Sequence, residues 1–235
     1  MNKLISICIP TYEAGGKATY LLEDLIVSID NQTYKNIEIV ISDHSLNNDI
    51  EIFLEKFKHL RINYYKNDRG IGNSSINMNE SIKKAKGDFI KIMHMDDLFY
   101  RNDTLEIMVN SINDDTKWGA FGFNHLINNV IDDILIPRLY LHPVSKIHSL
   151  MGCPSISFFR NGNDIFFDEN LIILNDFELY YRLLNRFGNP LIINDICITI
   201  RKHNLQVTSI LDNYNIKENE EALYIKNKYN NEFIN

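Results

Sequence analysis

Three polar clusters interrupt the apolar first half of the chain: Pro10-Thr11-Tyr12-Glu13, Asp43-His44-Ser45 and Asp96-Asp97. Each follows an apolar run that reads as a buried strand. In an open α/β sheet ligands bind beyond the carboxyl ends of the strands, so three such clusters on one edge describe a cleft. The cleft has carboxylates but no glycine-rich phosphate loop, which points to a metal ion rather than backbone N–H groups as the partner of phosphates. Hard oxygen donors favour Mg²⁺ or Mn²⁺ over zinc. Arg201 and His203 end a later apolar strand on one face, where they would suit a diphosphate leaving group.

Each of these residues also has a plainer reading. The Asp96-Asp97 pair and Asp43 are turn-compatible, but their place at the ligand edge favours function. Tyr12 reads equally as core or as a stacking platform. His94, between Met93 and Met95, reads as a packed or hydrogen-bonded histidine. His125, His142 and His148 lack metal spacing and are assigned nothing.

The elements that must position these residues alternate. Leu4–Ile9 is a continuous apolar run ending in Pro10, expected to be a buried parallel strand. Leu21, Leu22, Leu25, Ile26 and Ile29 form a helical stripe within Tyr20–Asn31. Strands are expected at Ile37–Ser42, Arg61–Tyr65 and Phe89–Met93, and helices at Asp49–Lys58 and Ser74–Lys86, the latter with Ile76 and Ile82 inward. Asp103 is expected to cap a helix carrying Leu105, Met108, Val109 and Ile112. This rhythm implies a mostly parallel sheet with right-handed crossovers. After the strand Trp118–Asn124, residues 125–150 show little periodicity. Strands at Ile156–Arg160 and Leu191–Ile200, a helix at Phe177–Phe187 and a charge-rich amphipathic helix at Lys217–Tyr229 follow.

The 235 residues suffice for one substantial core, and no repeat or low-complexity linker divides them. One α/β domain is expected, with residues 1–124 as one half and 125–235 as an elaboration on it. A net charge of −7 excludes a general nucleic-acid role. The 3 cysteines, Cys8, Cys153 and Cys197, are scattered through apolar runs and read as buried thiols in a reducing compartment. No stretch reads as a signal peptide or transmembrane helix, so a cytoplasmic location is expected, with peripheral contact at the inner face of the membrane as the variant.

Ile5-Ser6-Ile7-Cys8-Ile9-Pro10-Thr11-Tyr12 resembles the opening strand of family 2 glycosyltransferases with the GT-A fold. Ser28-Ile29-Asp30-Asn31-Gln32-Thr33-Tyr34 and Glu38-Ile39-Val40-Ile41-Ser42-Asp43 are similar to the next family block. Ala85-Lys86-Gly87-Asp88-Phe89-Ile90, leading to Asp96-Asp97, resembles the approach to the metal-binding carboxylates. Weaker matches follow at Pro154-Ser155, Phe158-Phe159-Arg160, Asn175-Asp176-Phe177-Glu178, Arg201-Lys202-His203 and Gln206.

The resemblance implies inverting transfer from a nucleotide-diphospho-sugar, a UDP-sugar by preference, to a saccharide or lipid-linked saccharide acceptor. It implies that Pro10, Thr11, Tyr12, Glu13 and Asp43 border the base and ribose. Asp97 would coordinate Mn²⁺ or Mg²⁺, with Asp96 beside it. Asp176 falls where the family keeps its general base, although the same residue reads as the N-cap of its helix. His94 and His44 stand where many relatives carry a carboxylate. The rival readings are a sugar-phosphate nucleotidyltransferase and a catalytically degenerate sugar-nucleotide-binding module.

Overall fold

The computed structural model describes residues 3–138, 151–162, 165–206 and 213–229. In chain order its elements are β1 (Ile5–Thr11), α1 (Ala18–Asp30), β2 (Ile37–Asp43), α2 (Asp49–Leu54), β3 (Ile62–Lys66), α3 (Ser74–Lys84), β4 (Phe89–Ile92), β5 (Leu98–Phe99), α4 (Thr104–Ser111), β6 (Trp118–Ile127), β7 (Val130–Leu135), β8 (Ser157–Arg160), α5 (Asn175–Phe187), β9 (Leu191–Lys202) and α6 (Tyr214–Lys228).

One sheet runs through the molecule in the order β3-β2-β1-β4-β8-β6-β9-β5, with β7 paired to β6. The first four strands are mutually parallel, as their unbroken apolar runs require: Ile5, Ile7, Cys8, Ile9, Val40, Ile41, Phe89 and Ile90 are all inaccessible. From β4 onward the sheet is mixed. β8 is antiparallel to both β4 and β6, β9 is parallel to β6, and β5 is antiparallel to β9. The mostly parallel sheet expected from the alternation is thus parallel throughout β3-β2-β1-β4 and mixed beyond it. The other half depends on pairings between strands far apart in sequence, which no local periodicity encodes.

Three local expectations are corrected. Asp103 does not cap α4 with its side chain; it forms a two-pronged pair with Arg101 at 2.7 and 2.9 Å. The first turn of α4 is served by buried Gln32, whose Oε1 accepts from the Leu105 N–H at 3.1 Å. On α3 it is Ile82 that turns fully inward, while Ile76 is half-buried. Much of the buried face is polar instead: Ser75, Asn77, Asn79 and Ser81. The aperiodic stretch from 125 begins with a hairpin, Ile127 opposite Val130 across Asn128-Asn129. Both asparagines have left-handed backbone, φ 49° and 63°, as a two-residue hairpin turn demands. Residues 139–150, with His142 and His148, lie outside the described residues.

The polar face of α3 ties the second half to the first. Asn77 donates to the Thr11 carbonyl at 2.9 Å. Asn79 and Phe167 exchange two hydrogen bonds, at 2.9 and 2.8 Å. Ser75 Oγ donates to the Leu171 carbonyl and accepts from Asn175.

At Gly87 the chain passes close to β1. Any Cβ there would lie 2.7 Å from the Leu4 carbonyl oxygen and from Ser6 N, both backbone atoms that cannot yield cheaply. Gly87→Ala should therefore cost about 1–3 kcal/mol. Chemical denaturation, with a lowered midpoint at unchanged slope, checks this.

Candidate active site

The parallel register sets the ligand edge. Thr11 pairs with Asp43 and Asp43 with Lys66, so the ends of β1, β2 and β3 lie side by side. Asp43 is fully buried, and its two oxygens accept from four groups: Thr11 Oγ1 (3.1 Å), the Ser45 N–H (2.9 Å), Tyr64 OH (2.7 Å) and Lys66 Nζ (3.3 Å). Burial alone would raise its pKa. Contacts from Ser45 and Tyr64 and the charge of Lys66 outweigh burial and hold it below the usual carboxylate range. A carboxylate with its four lone-pair sites occupied ties three strand ends together. The expectation that Asp43 offers a free oxygen to a nucleotide base is thereby altered: it forms the floor of that corner.

Next to it, Tyr12 is half-buried and donates through its hydroxyl to the Leu205 carbonyl at 2.9 Å. Its ring belongs partly to the core and its hydroxyl anchors the segment after β9. Glu13 is half-buried and accepts from the Leu46 N–H at 3.1 Å. Pro10 is half-buried and Thr11 fully buried. His44 is buried, and its Nε2 lies 3.1 Å from the Arg69 carbonyl and 3.0 Å from Asn67 Nδ2. Burial lowers its pKa, so it is a neutral ring in place of a second carboxylate.

After β4 the chain turns at 94–97. The two aspartates have different partners. Asp97 is 2% exposed; its Oδ1 accepts from the Arg201 N–H at 3.2 Å, and its Oδ2 lies 3.8 Å from Cys153 Sγ and 3.9 Å from His94 Nδ1. Burial, reinforced by the charge of Asp96, pushes its pKa up to about 8. Asp96 retains 17% exposure and its Oδ2 stands 2.9 Å from His203 Nε2. There burial is outweighed by the hydrogen bond from His203 and the nearby charges of His94 and His203, and the pKa is lowered. The residues fit a divalent cation: two adjacent carboxylates, one of them with its pKa raised by burial and by the other's charge, lie beside a histidine. Asp97, to which the sequence pointed, is among the possible donors, whereas both ring nitrogens of His203 are engaged, Nδ1 accepting from the Leu205 N–H at 3.2 Å and Nε2 standing 2.9 Å from Asp96 Oδ2.

His94, Asp97 and Cys153 converge within 4.8 Å of one another. The cysteine was expected to be an inert buried thiol and the histidine a packed one. Both line the carboxylate pocket. His94 is fixed by a backbone hydrogen bond to Ser155 Oγ at 2.9 Å, and burial lowers its pKa.

Arg201 departs from expectation. Its side chain is 10% exposed, and the guanidinium bonds Asp24 Oδ2 (2.6 Å), the Leu21 carbonyl (2.7 Å) and the Asp96 carbonyl. It clamps α1 to the carboxylate turn and is not an open donor for a diphosphate. Only His203 of the expected cationic pair faces the cleft.

Below the turn sits Lys91, fully buried on β4. Its Nζ donates to the carbonyls of Ile92 and Ser155 and lies over the Phe99 and Phe121 rings at 5.8 and 5.7 Å. Burial lowers its pKa to about 7. Sequence reasoning passed over it, although a lone charge within Phe89–Met93 was a visible signal.

Asp176 is not the N-cap of α5. The helix starts at Asn175, after Leu174, so Asp176 sits within the first turn with Oδ1 accepting from the Phe177 N–H at 2.6 Å. Burial raises its pKa to about 6. Its charge in turn raises the pKa of Cys153 and of Tyr180, whose hydroxyl donates to the Cys153 carbonyl at 3.2 Å. The charges of Asp97 and Asp176 thus both act on Cys153, adding to the larger effect of its burial.

Comparison with known proteins agrees with this geometry. Residues 6–184 match the family described as glycosyl transferase family 2. An uncharacterized glycosyltransferase of Rickettsia typhi is 29% identical over 95% of this chain and 71% of its own length. The UDP-Glc:alpha-D-GlcNAc-diphosphoundecaprenol beta-1,3-glucosyltransferase WfgD of Escherichia coli is 27% identical over 65% of this chain and 59% of its own. Staphylococcus aureus TarS 1-349 in complex with UDP-GlcNAc superposes with a TM-score of 0.68 at 18% identity, over 89% of this chain and 61% of that one. The chain thus spans less than two thirds of that structure. The likeness establishes the GT-A fold.

The two buried aspartates should respond oppositely to neutralisation. Asp43→Asn turns one acceptor oxygen into a donor facing other donors, and should cost about 1–3 kcal/mol. Asp97 holds its proton more tightly in the folded chain than in the unfolded one. Its contribution to stability is therefore full at acid pH and is lost as pH climbs from the ordinary carboxylate range towards about 8. Asp97→Asn mimics the protonated form and should leave stability at neutral pH equal or higher in the presence of a chelator. Thermal unfolding of both variants at pH 5 and pH 8 checks the contrast.

Proposed function

The chain belongs to glycosyl transferase family 2, and from that premise we propose that it transfers one sugar, with inversion, from a UDP-sugar to a hydroxyl of a saccharide or lipid-linked saccharide. The observation that carries this reading is the Asp96-Asp97 pair, with His203 2.9 Å from Asp96, beyond the parallel strand ends. The names of its relatives support it: one uses UDP-glucose and acts on a diphosphoundecaprenol-linked sugar, and TarS was solved with UDP-GlcNAc. Residues 1–124 would hold the donor and 125–235 would shape the acceptor side. Among the described residues no helix is long and apolar enough to cross a membrane.

On this reading Pro10, Thr11, Tyr12 and Glu13 border the base and ribose, over a floor fixed by Asp43. Asp97 would hold a Mn²⁺ or Mg²⁺ ion once deprotonated, with Asp96 beside it, kept in place by His203. When bound, that ion neutralises the charge of the leaving diphosphate. Asp176 removes the proton from the acceptor hydroxyl as its oxygen attacks the anomeric carbon. A carboxylate with a pKa near 6 suits that task, because it is mostly ionised at neutral pH yet basic enough to take a proton. Arg201 holds the turn and α1 in place, so that Asp96 presents a fixed oxygen.

UDP affinity should depend on Mn²⁺, and Asp97→Asn should remove that dependence, read by titration calorimetry in metal and in chelator. Asp96→Asn should keep part of it; full dependence retained in Asp97→Asn would remove Asp97 as the ligand. Asp176→Asn should preserve UDP affinity while turnover falls by roughly two to four powers of ten. In the parent enzyme the rate should decline as pH falls through about 6, since protonation removes the base, and that acid limb should vanish in Asp176→Asn. Near-normal turnover of that variant would remove Asp176 from the mechanism.

A further inference from the structure

The helix α6 reads in sequence as a charge-rich solvated element, yet one of its glutamates is buried. Glu221 is 2% exposed. Its Oε1 accepts from the Ile172 N–H at 2.8 Å, and its Oε2 accepts from the N–H groups of Ile173 and Leu174 at 2.9 Å each. These are the three residues directly before α5, and Asp176 is the second residue of that helix. One anion thus gathers the backbone donors that lead into the turn carrying Asp176. Its negative charge also lies at the positive end of a 13-residue helix, where it is favoured.

The rest of α6 holds Glu221 at that point. Ile225, fully buried, packs with Leu171 and Leu174 in a cluster separate from the main core. At the far end of α6, Lys228 Nζ (2.7 Å) and Tyr229 OH (2.5 Å) donate to buried Glu178 on the same first turn of α5. Tyr214, at the near end, has its pKa raised by burial, by Glu218 and by the charges of both Asp176 and Glu221. Two elements distant in sequence therefore meet around a single helical turn.

We propose that Glu221 is a positioning residue for the reaction: its carboxylate sets the backbone leading into α5 and thereby aims Asp176 at the acceptor hydroxyl. The inference rests on Asp176 as the general base. A buried carboxylate sharing three N–H groups is directional, whereas apolar packing of α6 alone would let the turn rotate. A neutral amide of the same shape keeps one acceptor oxygen and sets an NH₂ against the remaining N–H donors, so Glu221→Gln perturbs the turn with little change in volume.

The experiment is a double-mutant cycle of Glu221→Gln with Asp176→Asn, reading UDP release from UDP-glucose and UDP-GlcNAc with water as acceptor, and UDP affinity alongside. Expected for Glu221→Gln is a kcat about ten- to a hundredfold lower, with UDP affinity unchanged. In the Asp176→Asn background the same change should have no further effect, because the residue it positions is already disabled. An equal loss in both backgrounds, loss of UDP affinity, or parent-like turnover would each overturn the proposal. Should Glu221→Gln fail to fold, Glu221→Asp, which keeps the charge and withdraws it by one methylene, replaces it in the same cycle with the same criteria. Failure of the general-base reading looks different: Asp176→Asn alone would then turn over normally.

Discussion

Two neighbouring carboxylates at a strand end, both mostly removed from water, set the terms for the rest of this structure. Like charges this close cannot both stay ionised in a dry site without compensation. Asp96 receives it from His203; at Asp97 the contacts of Ser155 and Arg201 fall short of the cost of burial, and its pKa is raised to about 8. The chain supplies these partners through one long-range pairing. Leu98 and Phe99 pair antiparallel with Thr199 and Ile198 immediately after the carboxylates, which brings Arg201 and His203 opposite the turn. That two-residue strand carries the alignment. Shifting β9 by one residue would exchange the faces of its side chains and remove both partners together.

The two halves of the molecule are joined by different forces. The parallel strands and α1 bury a continuous apolar core, whose attraction is strong but non-directional. The segment that carries Asp176 joins that core through Leu179, Tyr180 and Leu183, and adds hydrogen bonds from Ser75, Asn79 and Asn175 on one side and Glu221 on the other. Directional contacts fix angles as well as distances, which a base needs in order to meet a reacting oxygen. They also explain why α3 buries asparagines and serines where a helix of this kind ordinarily presents leucine and isoleucine.

The alternation of the first hundred residues was legible because each buried strand is an unbroken apolar run and each helix carries a stripe, so the elements fall within a few residues of the sequence reading. β5 was not, since two residues carry no period. Nor was β7, which hid in a stretch whose turn residues, Asn128 and Asn129, are the one local signal for a hairpin. The strand order β8-β6-β9-β5 is written in contacts and not in spacing. Among site residues, the types at the strand ends were informative and their commitments were not. Arg201 looked free and is clamped by Asp24; Cys153 looked inert and lies beside Asp97; Glu221 is one of several glutamates on its helix, and nothing in the pattern singles it out.

Asp43 and Asp97 show why residue type alone stops short of function. Both are buried acids after a parallel strand at the same edge, and in sequence they are equivalent. Four donors converge on Asp43 and hold it ionised, so its charge is already answered by the protein and it acts as a fastening. Asp97 is buried beside another carboxylate, and the contacts of Ser155 and Arg201 do not offset that, so its proton is retained. Evolution can make the first arrangement anywhere in a fold, because it adds stability. The second costs stability unless something cationic arrives, and it persists only where such an arrival has a use. The donor census around each acid, more than the acid itself, therefore separates scaffold from site. By that criterion the corner at the end of β2 is scaffold, and the 94–97 turn carries the carboxylate whose charge the fold answers less fully.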